Sequence, residues 1–334
     1  MEITQNTHYA TGCKVADLPA NLPAEIADDL IFEGTQIAPD VFLLKRGNAK
    51  LFPLQNLSIL KAQMKNGKTF AAVMFASAYL AGTWENQLQT LLSPEGIVID
   101  GGVLYVDTEQ SKASTKKIRR RITKLFAIAR NVRAGAGAKH TADDYKNAAD
   151  ALSRRLYVAN VRTHNVEKRR EHIAQILEYA KGVKLVILDG IKDICNDFNN
   201  IAEVAATMDV VTRWALQYDV HILCVLHENP SSDKARGHLG TELYNKATEI
   251  INVKREENFF RVTWEAIRES AGVEPLFFRI GDFPADVPVD AAVEIPADVP
   301  ADGNAKGKGK GKGKTGETPV QKNTGGQRFR TQNK

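Results

Sequence analysis

A chain of 334 residues, 43% hydrophobic and 25% charged, holds one large or two ordinary domains and can bury a sizeable core. Its net charge of +5 is uneven: residues 303–334 carry nine Lys or Arg against Glu317 alone, a net of +8, which leaves −3 for the first 302 residues. The three cysteines (Cys13, Cys195, Cys224) have neither pairing nor metal spacing. The first residues lack a basic and apolar leader, and no apolar run approaches the roughly 18 residues of a membrane span. The expectation is a cytoplasmic protein of a reducing compartment, with no membrane partner.

Residues 1–40, with Pro19, Pro23, Pro39 and a short acidic helix around 24–30, read as a lead-in that packs on the body. Strands are predicted at 57–60, 102–106, 156–159, 184–188 and 220–225, and helices at 69–81, 115–129, 142–155, 169–180 and 202–217. Short continuous apolar strands such as Leu185-Val186-Ile187-Leu188, alternating with amphipathic helices, imply an α/β fold: a mostly parallel sheet with helices on both faces. Segments 249–255 and 259–265, joined by Glu-Glu-Asn, and then 276–280 predict an antiparallel extension at the C-terminal side. These elements delimit a domain over 41–283. Residues 284–302 repeat Pro, Ala, Asp and Val as an acidic linker, and 303–334 form a Lys/Gly tail predicted to be disordered.

Residues Ala62-Gln63-Met64-Lys65-Asn66-Gly67-Lys68-Thr69-Phe70 lie between an apolar strand and a long apolar helix, the setting of a phosphate-binding P-loop. Backbone N–H groups of such a loop cradle phosphates, Lys68 supplies a point charge to the β- and γ-phosphates, and the Thr69 hydroxyl ligates Mg2+. The pattern wants glycine where Ala62 stands. Alanine disfavours positive φ, so Ala62 either keeps φ negative or sits in a tighter turn.

The next strand ends in Asp107-Thr108-Glu109. Carboxylates at the C-terminal end of a buried parallel strand face the ligand crevice, which places Glu109 to activate a water; the alternative is that Asp107 or Glu109 caps the following helix. Leu185-Val186-Ile187-Leu188-Asp189 has the Walker B form, with Asp189 as a magnesium carboxylate. His227, at the end of the strand that includes Ile222 to Leu226, is a candidate γ-phosphate sensor or a structural histidine. The loop 231–243, with Lys234, Arg236 and His238, is placed to touch a phosphodiester backbone, or is simply solvated. Lys254-Arg255, read near the far edge of the sheet, is a candidate arginine finger or an exposed pair. The helical stretch 112–133, with Arg119-Arg120-Arg121, offers a basic surface to a partner or DNA.

In this order the motifs resemble the RecA-like P-loop ATPases over roughly residues 40–280, most closely the plasmid RepA-type replicative helicases of bacterial mobile elements. The resemblance implies a RecA-like P-loop NTPase core and a homo-hexameric ring. It also implies ATP with Mg2+ at subunit interfaces and single-stranded DNA in a central channel. It makes Lys68 and Thr69 phosphate and magnesium ligands, Glu109 the catalytic carboxylate, Asp189 the Walker B acid, His227 the sensor and Arg255 the finger in trans, a role Lys254 is equally placed to take.

The leading expectation is an ATP-driven DNA motor or helicase acting in replication or mobilisation of a plasmid or mobile element, alongside other proteins of those processes. Tail lysines such as Lys306, Lys308 and Lys310 add salt-sensitive, sequence-independent affinity for phosphates. Two alternatives stand beside it: a RecA-like regulatory or recombination ATPase that binds DNA without unwinding, and a non-hydrolysing nucleotide-binding scaffold, supported by Ala62.

Overall fold

The eight-membered path of the main sheet is built from the apolar runs picked out above. A computed structural model of the chain describes residues 35–84, 88–90, 101–133, 141–229, 232–235, 237–268 and 272–282, with positions 26 and 29–31. In chain order the main strands are β3 (Leu57–Ala62), β6 (Gly102–Asp107), β7 (Leu156–Asn160), β8 (Val183–Asp189), β9 (His221–Asn229), β11 (Glu249–Arg255), β12 (Phe260–Ile267) and β13 (Leu276–Phe278). They are ordered β13-β12-β11-β3-β9-β8-β6-β7, and the pairs from β11 to β7 are all parallel. Strands β12 and β13 extend the sheet antiparallel. The fold is therefore α/β, as the alternating pattern predicts, with the antiparallel ribbon at the C-terminal side.

Helices cover both faces, which is why the central strands are buried on both sides and largely apolar. On one side α1 (Lys68–Ala81), α2 (Lys112–Arg133) and α3 (Ala142–Ala151) share a core with Tyr105, Leu185 and Leu223; on the other α4 (Val166–Tyr179), α5 (Ile201–Gln217) and α6 (Gly237–Lys246) pack with Leu104, Val186 and Ile222. Alternate residues of one strand thus feed two cores.

Local capping explains where most of these helices begin. Thr141 and Asp144 form a capping box at α3, and the Asn165 and Asn200 side chains accept from Lys168 N–H and Glu203 N–H at α4 and α5. Helix α1 differs. Its N-cap is Gly67, with no side-chain cap and no acidic residue in the first turn. Its first-turn N–H groups are left for another acceptor.

Several boundaries depart from the sequence reading. Helix α2 starts at Lys112, α3 stops at Ala151, and β9 runs through His227 and Glu228 to Asn229. The loop expected over 231–243 instead contains β10 (Ser232–Ala235), paired with β9, and the first residues of α6. Leu239 N–H bonds Phe198 O, so α6 is anchored to the loop before α5, a non-local contact that local composition does not reveal. Strand β11 is no edge strand: it pairs directly with the P-loop strand β3, and β13 forms that edge.

A second, four-stranded antiparallel sheet lies outside the sequence expectations. Its order is β2-β1-β5-β4, from β1 (Phe42–Arg46), β2 (Ala49–Pro53), β4 (Thr83–Trp84) and β5 (Leu88–Thr90). Its signal was available in the two-residue Gly47-Asn48 turn between apolar runs, with Gly47 at φ 57°. The acidic helix expected over 24–30 lies mostly outside the described residues, and the 284–302 linker and 303–334 tail lie wholly outside them.

Candidate nucleotide site

The strands deliver their C-terminal ends to one row. Ala62 is in register with His227, Asp189 with Val225, and Asp107 with both Asp189 and Asn160. Because β9 lies between β3 and β8, the P-loop and the Asp189 strand are separated by the strand that carries His227.

Ala62 is the last residue of β3, fully buried and not among the residues with positive φ. The two alternatives left open for it resolve to the first. The loop turns further on, at Lys65 (φ 63°) and Gly67 (φ 79°). A Cβ on Gly67 would lie 2.7 Å from Phe260 Cδ1, so both conformation and space require glycine there. Gln63, Met64 and Lys65 are exposed on the loop, while Asn66 N–H donates to Gln63 O at 3.3 Å and closes the turn.

Lys68 points back under this loop. Its Nζ donates to Ala62 O at 2.9 Å and Gln63 O at 3.1 Å. Burial draws its pKa down, opposed by the charges of Asp189, Glu109 and Glu228. Thr69 is half-buried in the first turn of α1, and the Arg121 guanidinium lies 4.9 Å from the centre of the Phe70 ring.

The carboxylate that ends β6 and the one two residues beyond it separate into different roles. Asp107, fully buried, accepts from Glu109 N–H, Gln110 N–H and the Thr115 hydroxyl, so it fixes the turn and the start of α2. The Glu109 carboxylate instead lies 3.2 Å from His227 Nε2. That hydrogen bond, with help from Lys192 and Lys68, holds the Glu109 carboxyl below its usual pKa against the opposing effect of burial. A carboxylate only accepts, so His227 Nε2 carries the proton; Nδ1 is buried without a hydrogen-bond partner among the described residues.

Asp189 ends β8 deeply buried and accepts from the Tyr105 hydroxyl at 2.6 Å. Desolvation pushes its pKa up to about 6; the Tyr105 bond lowers it, and Asp107 and Glu109 raise it. A buried carboxyl beside two others, with the ammonium of Lys68 close enough to feel its charge and Thr69 next in sequence, is a hard-oxygen setting that a divalent cation would relieve. Among the described residues no group of three or more His, Cys, Asp or Glu could hold a metal by itself. Thr108 ties this region together, donating to Asp193 Oδ2 at 2.8 Å beside Gly190, which has φ 104°.

Other expected residues are dispersed. Arg255 is exposed at the end of β11, with its guanidinium 6.0 Å from the centre of the Phe260 ring, the same ring that packs on Gly67; Lys254 is exposed beside it. His238 is exposed in the first turn of α6. Lys234 lies on β10, while Arg236, Lys306, Lys308 and Lys310 are outside the described residues. Sequence reasoning missed Lys192, three residues after Asp189, and Tyr105, two before Asp107. Lysine in the turn after the carboxylate that ends β8 was the readable signal; tyrosine inside an apolar strand gave none.

A parallel sheet with one strand inserted between the P-loop strand and β8, an uncapped helix after the loop, and carboxylates at the ends of β6 and β8 define a RecA-like P-loop NTPase core. Residues 33–233 match the AAA domain family, well over half of the chain, and the chain belongs to that family of AAA-type ATPase domains. Among solved structures, one ATPase domain is similar at 14% identity, with 67% of this chain and 80% of that chain covered and a TM-score of 0.45. No curated protein matches the chain. Among the described residues no helix is long and apolar enough to cross a membrane.

Proposed function

We propose that the chain is an ATP-hydrolysing DNA motor of the RepA helicase type, assembling as a homo-hexamer on single-stranded DNA and serving replication or mobilisation of a plasmid or mobile element. The observation that carries the reading is the Glu109–His227 pair, gathered with Asp189 and Lys68 at one end of the sheet. In this reading the uncapped start of α1 and the loop 62–70 bind the triphosphate, with Lys68 turning from Ala62 O and Gln63 O to the β- and γ-oxygens. Thr69 and Asp189 would hold Mg2+, which would neutralise charge on the phosphates when bound. Glu109, kept ionised, accepts a proton from the attacking water, and His227 reports loss of the γ-phosphate along β9. Arg255 or Lys254 reaches a neighbouring subunit's nucleotide, and β10, the 236 loop and His238 meet DNA.

Ala62, the sequence support for a non-hydrolysing scaffold, sits in ordinary strand conformation, which favours the hydrolytic reading. Steady-state ATP hydrolysis with and without single-stranded DNA, in wild type and Lys68→Ala, tests the proposal. Stimulated turnover that disappears in the variant supports a DNA-coupled ATPase, and strand displacement then separates unwinding from binding alone. No turnover in wild type under either condition rejects it.

A further inference from the structure

Lys61 is the residue just before Ala62, at the root of the loop, and its side chain is 1% exposed. Its ammonium lies 2.8 Å from the carboxylate of Glu228, itself buried, and 2.7 Å from that of Glu265, which is 37% exposed. The Tyr244 ring of α6 lies 5.5 Å from the same nitrogen, and Glu265 accepts from Asn252 Nδ2 at 2.6 Å. One cation therefore joins the ends of β3, β9 and β12 to a helix.

Stability alone does not account for this cluster. Desolvating each ion is costly, and apolar side chains of similar volume are often as stable in place of a buried pair. Its position is more telling. Glu228 follows His227 directly, and its charge is close enough to act on the Lys68 ammonium. Tyr244 belongs to α6, whose first turn carries His238. Lys61 also has two carboxylate partners in different settings, one buried and one at the surface, so its contacts have somewhere to redistribute.

We propose that Lys61 and Glu228 are positioning residues that couple occupancy of the phosphate loop to the setting of α6. This rests on the nucleotide-site reading above. A polyanion beside Lys68 changes the potential at Glu228, the Lys61 ammonium shifts its share between Glu228 and Glu265, and Tyr244 on α6 follows.

Hydrogen exchange over residues 237–246 of the full chain, with and without a slowly hydrolysed ATP analogue and Mg2+, reads the coupling directly. The variants are Lys61→Met/Glu228→Leu, which removes both charges together, and Glu228→Gln, which keeps the shape. In wild type, analogue binding changes exchange over 237–246 by about tenfold. In both variants the analogue still binds, and the exchange response falls below about twofold. If the double variant does not fold, Glu228→Gln decides alone. A full response in the variants, or bound wild type with no response in α6, overturns the proposal. Wild type that fails to bind the analogue at all rejects the nucleotide site itself, and this inference with it.

Discussion

His227 Nε2 and the Glu109 carboxylate meet at 3.2 Å although their strands, β9 and β6, are not neighbours: β8 runs between them and ends in Asp189. The contact spans the strand that carries the proposed magnesium carboxylate. Water activation and phosphate sensing, as proposed, are thereby joined in one hydrogen bond.

Glu109→Gln is expected to lower ATP turnover by about 10²–10⁴-fold while nucleotide binding, followed by titration of a fluorescent analogue, is retained. His227→Ala removes the group that holds the Glu109 carboxyl low, so its pKa rises. The acid limb of the turnover profile should then move to higher pH. Turnover unchanged in Glu109→Gln would reassign the base.

Asp189 gives a pH dependence with a definite sign. Its folded pKa of about 6 lies above the ordinary 3.8, so in metal-free protein its contribution to stability is greatest below 3.8 and declines as pH rises through 6. Metal binding needs the ionised form, so the Mg2+ concentration for half-maximal turnover should rise as pH falls through about 6. Tyr105→Phe deletes the hydrogen bond that favours ionisation and should shift this rise to higher pH. A magnesium requirement independent of pH in both proteins would exclude Asp189 as a ligand.

Ala62→Gly restores the usual P-loop residue and should bring no gain in nucleotide affinity, because the position is already extended and buried. Its main effect is a loss of roughly 0.5–1 kcal/mol of stability from added backbone freedom. Denaturant unfolding and nucleotide titration measure the two sides; tighter binding would contradict the geometry.

Gly67→Ala should be costly twice over, through φ 79° and through collision with Phe260. A loss on the order of 1–3 kcal/mol is expected from strain. Adding Phe260→Leu relieves the collision but not the dihedral, so thermal unfolding of the double variant should show partial recovery. Complete recovery would place all of the cost in the ring contact.

Much of this site is legible in the residues themselves. Leu185 to Leu188 must be a buried strand, because four apolar residues in a row call for coverage on both faces, and Lys68-Thr69 after a strand declares the loop. The departures share one cause. The segment 237–243 is polar and glycine-containing, yet it is helix because Leu239 and Leu243 bury against the second core and Phe198 anchors its start. The β1–β2 hairpin was readable from its Gly47-Asn48 turn, but its sheet is completed by β4 and β5, which begin at Thr83 and Leu88, far along the chain.

The alternation of buried strands and helices in the parallel core, the phosphate loop and the carboxylates at strand ends were legible in the sequence alone, since apolar periodicity and glycine chemistry act between near neighbours. Tertiary structure decided which acid fixes a turn and which faces His227, that Ala62 stays extended, and that Lys61 is shared by two glutamates. Each of those depends on register between strands distant in the chain, and register is set by packing the whole sheet at once.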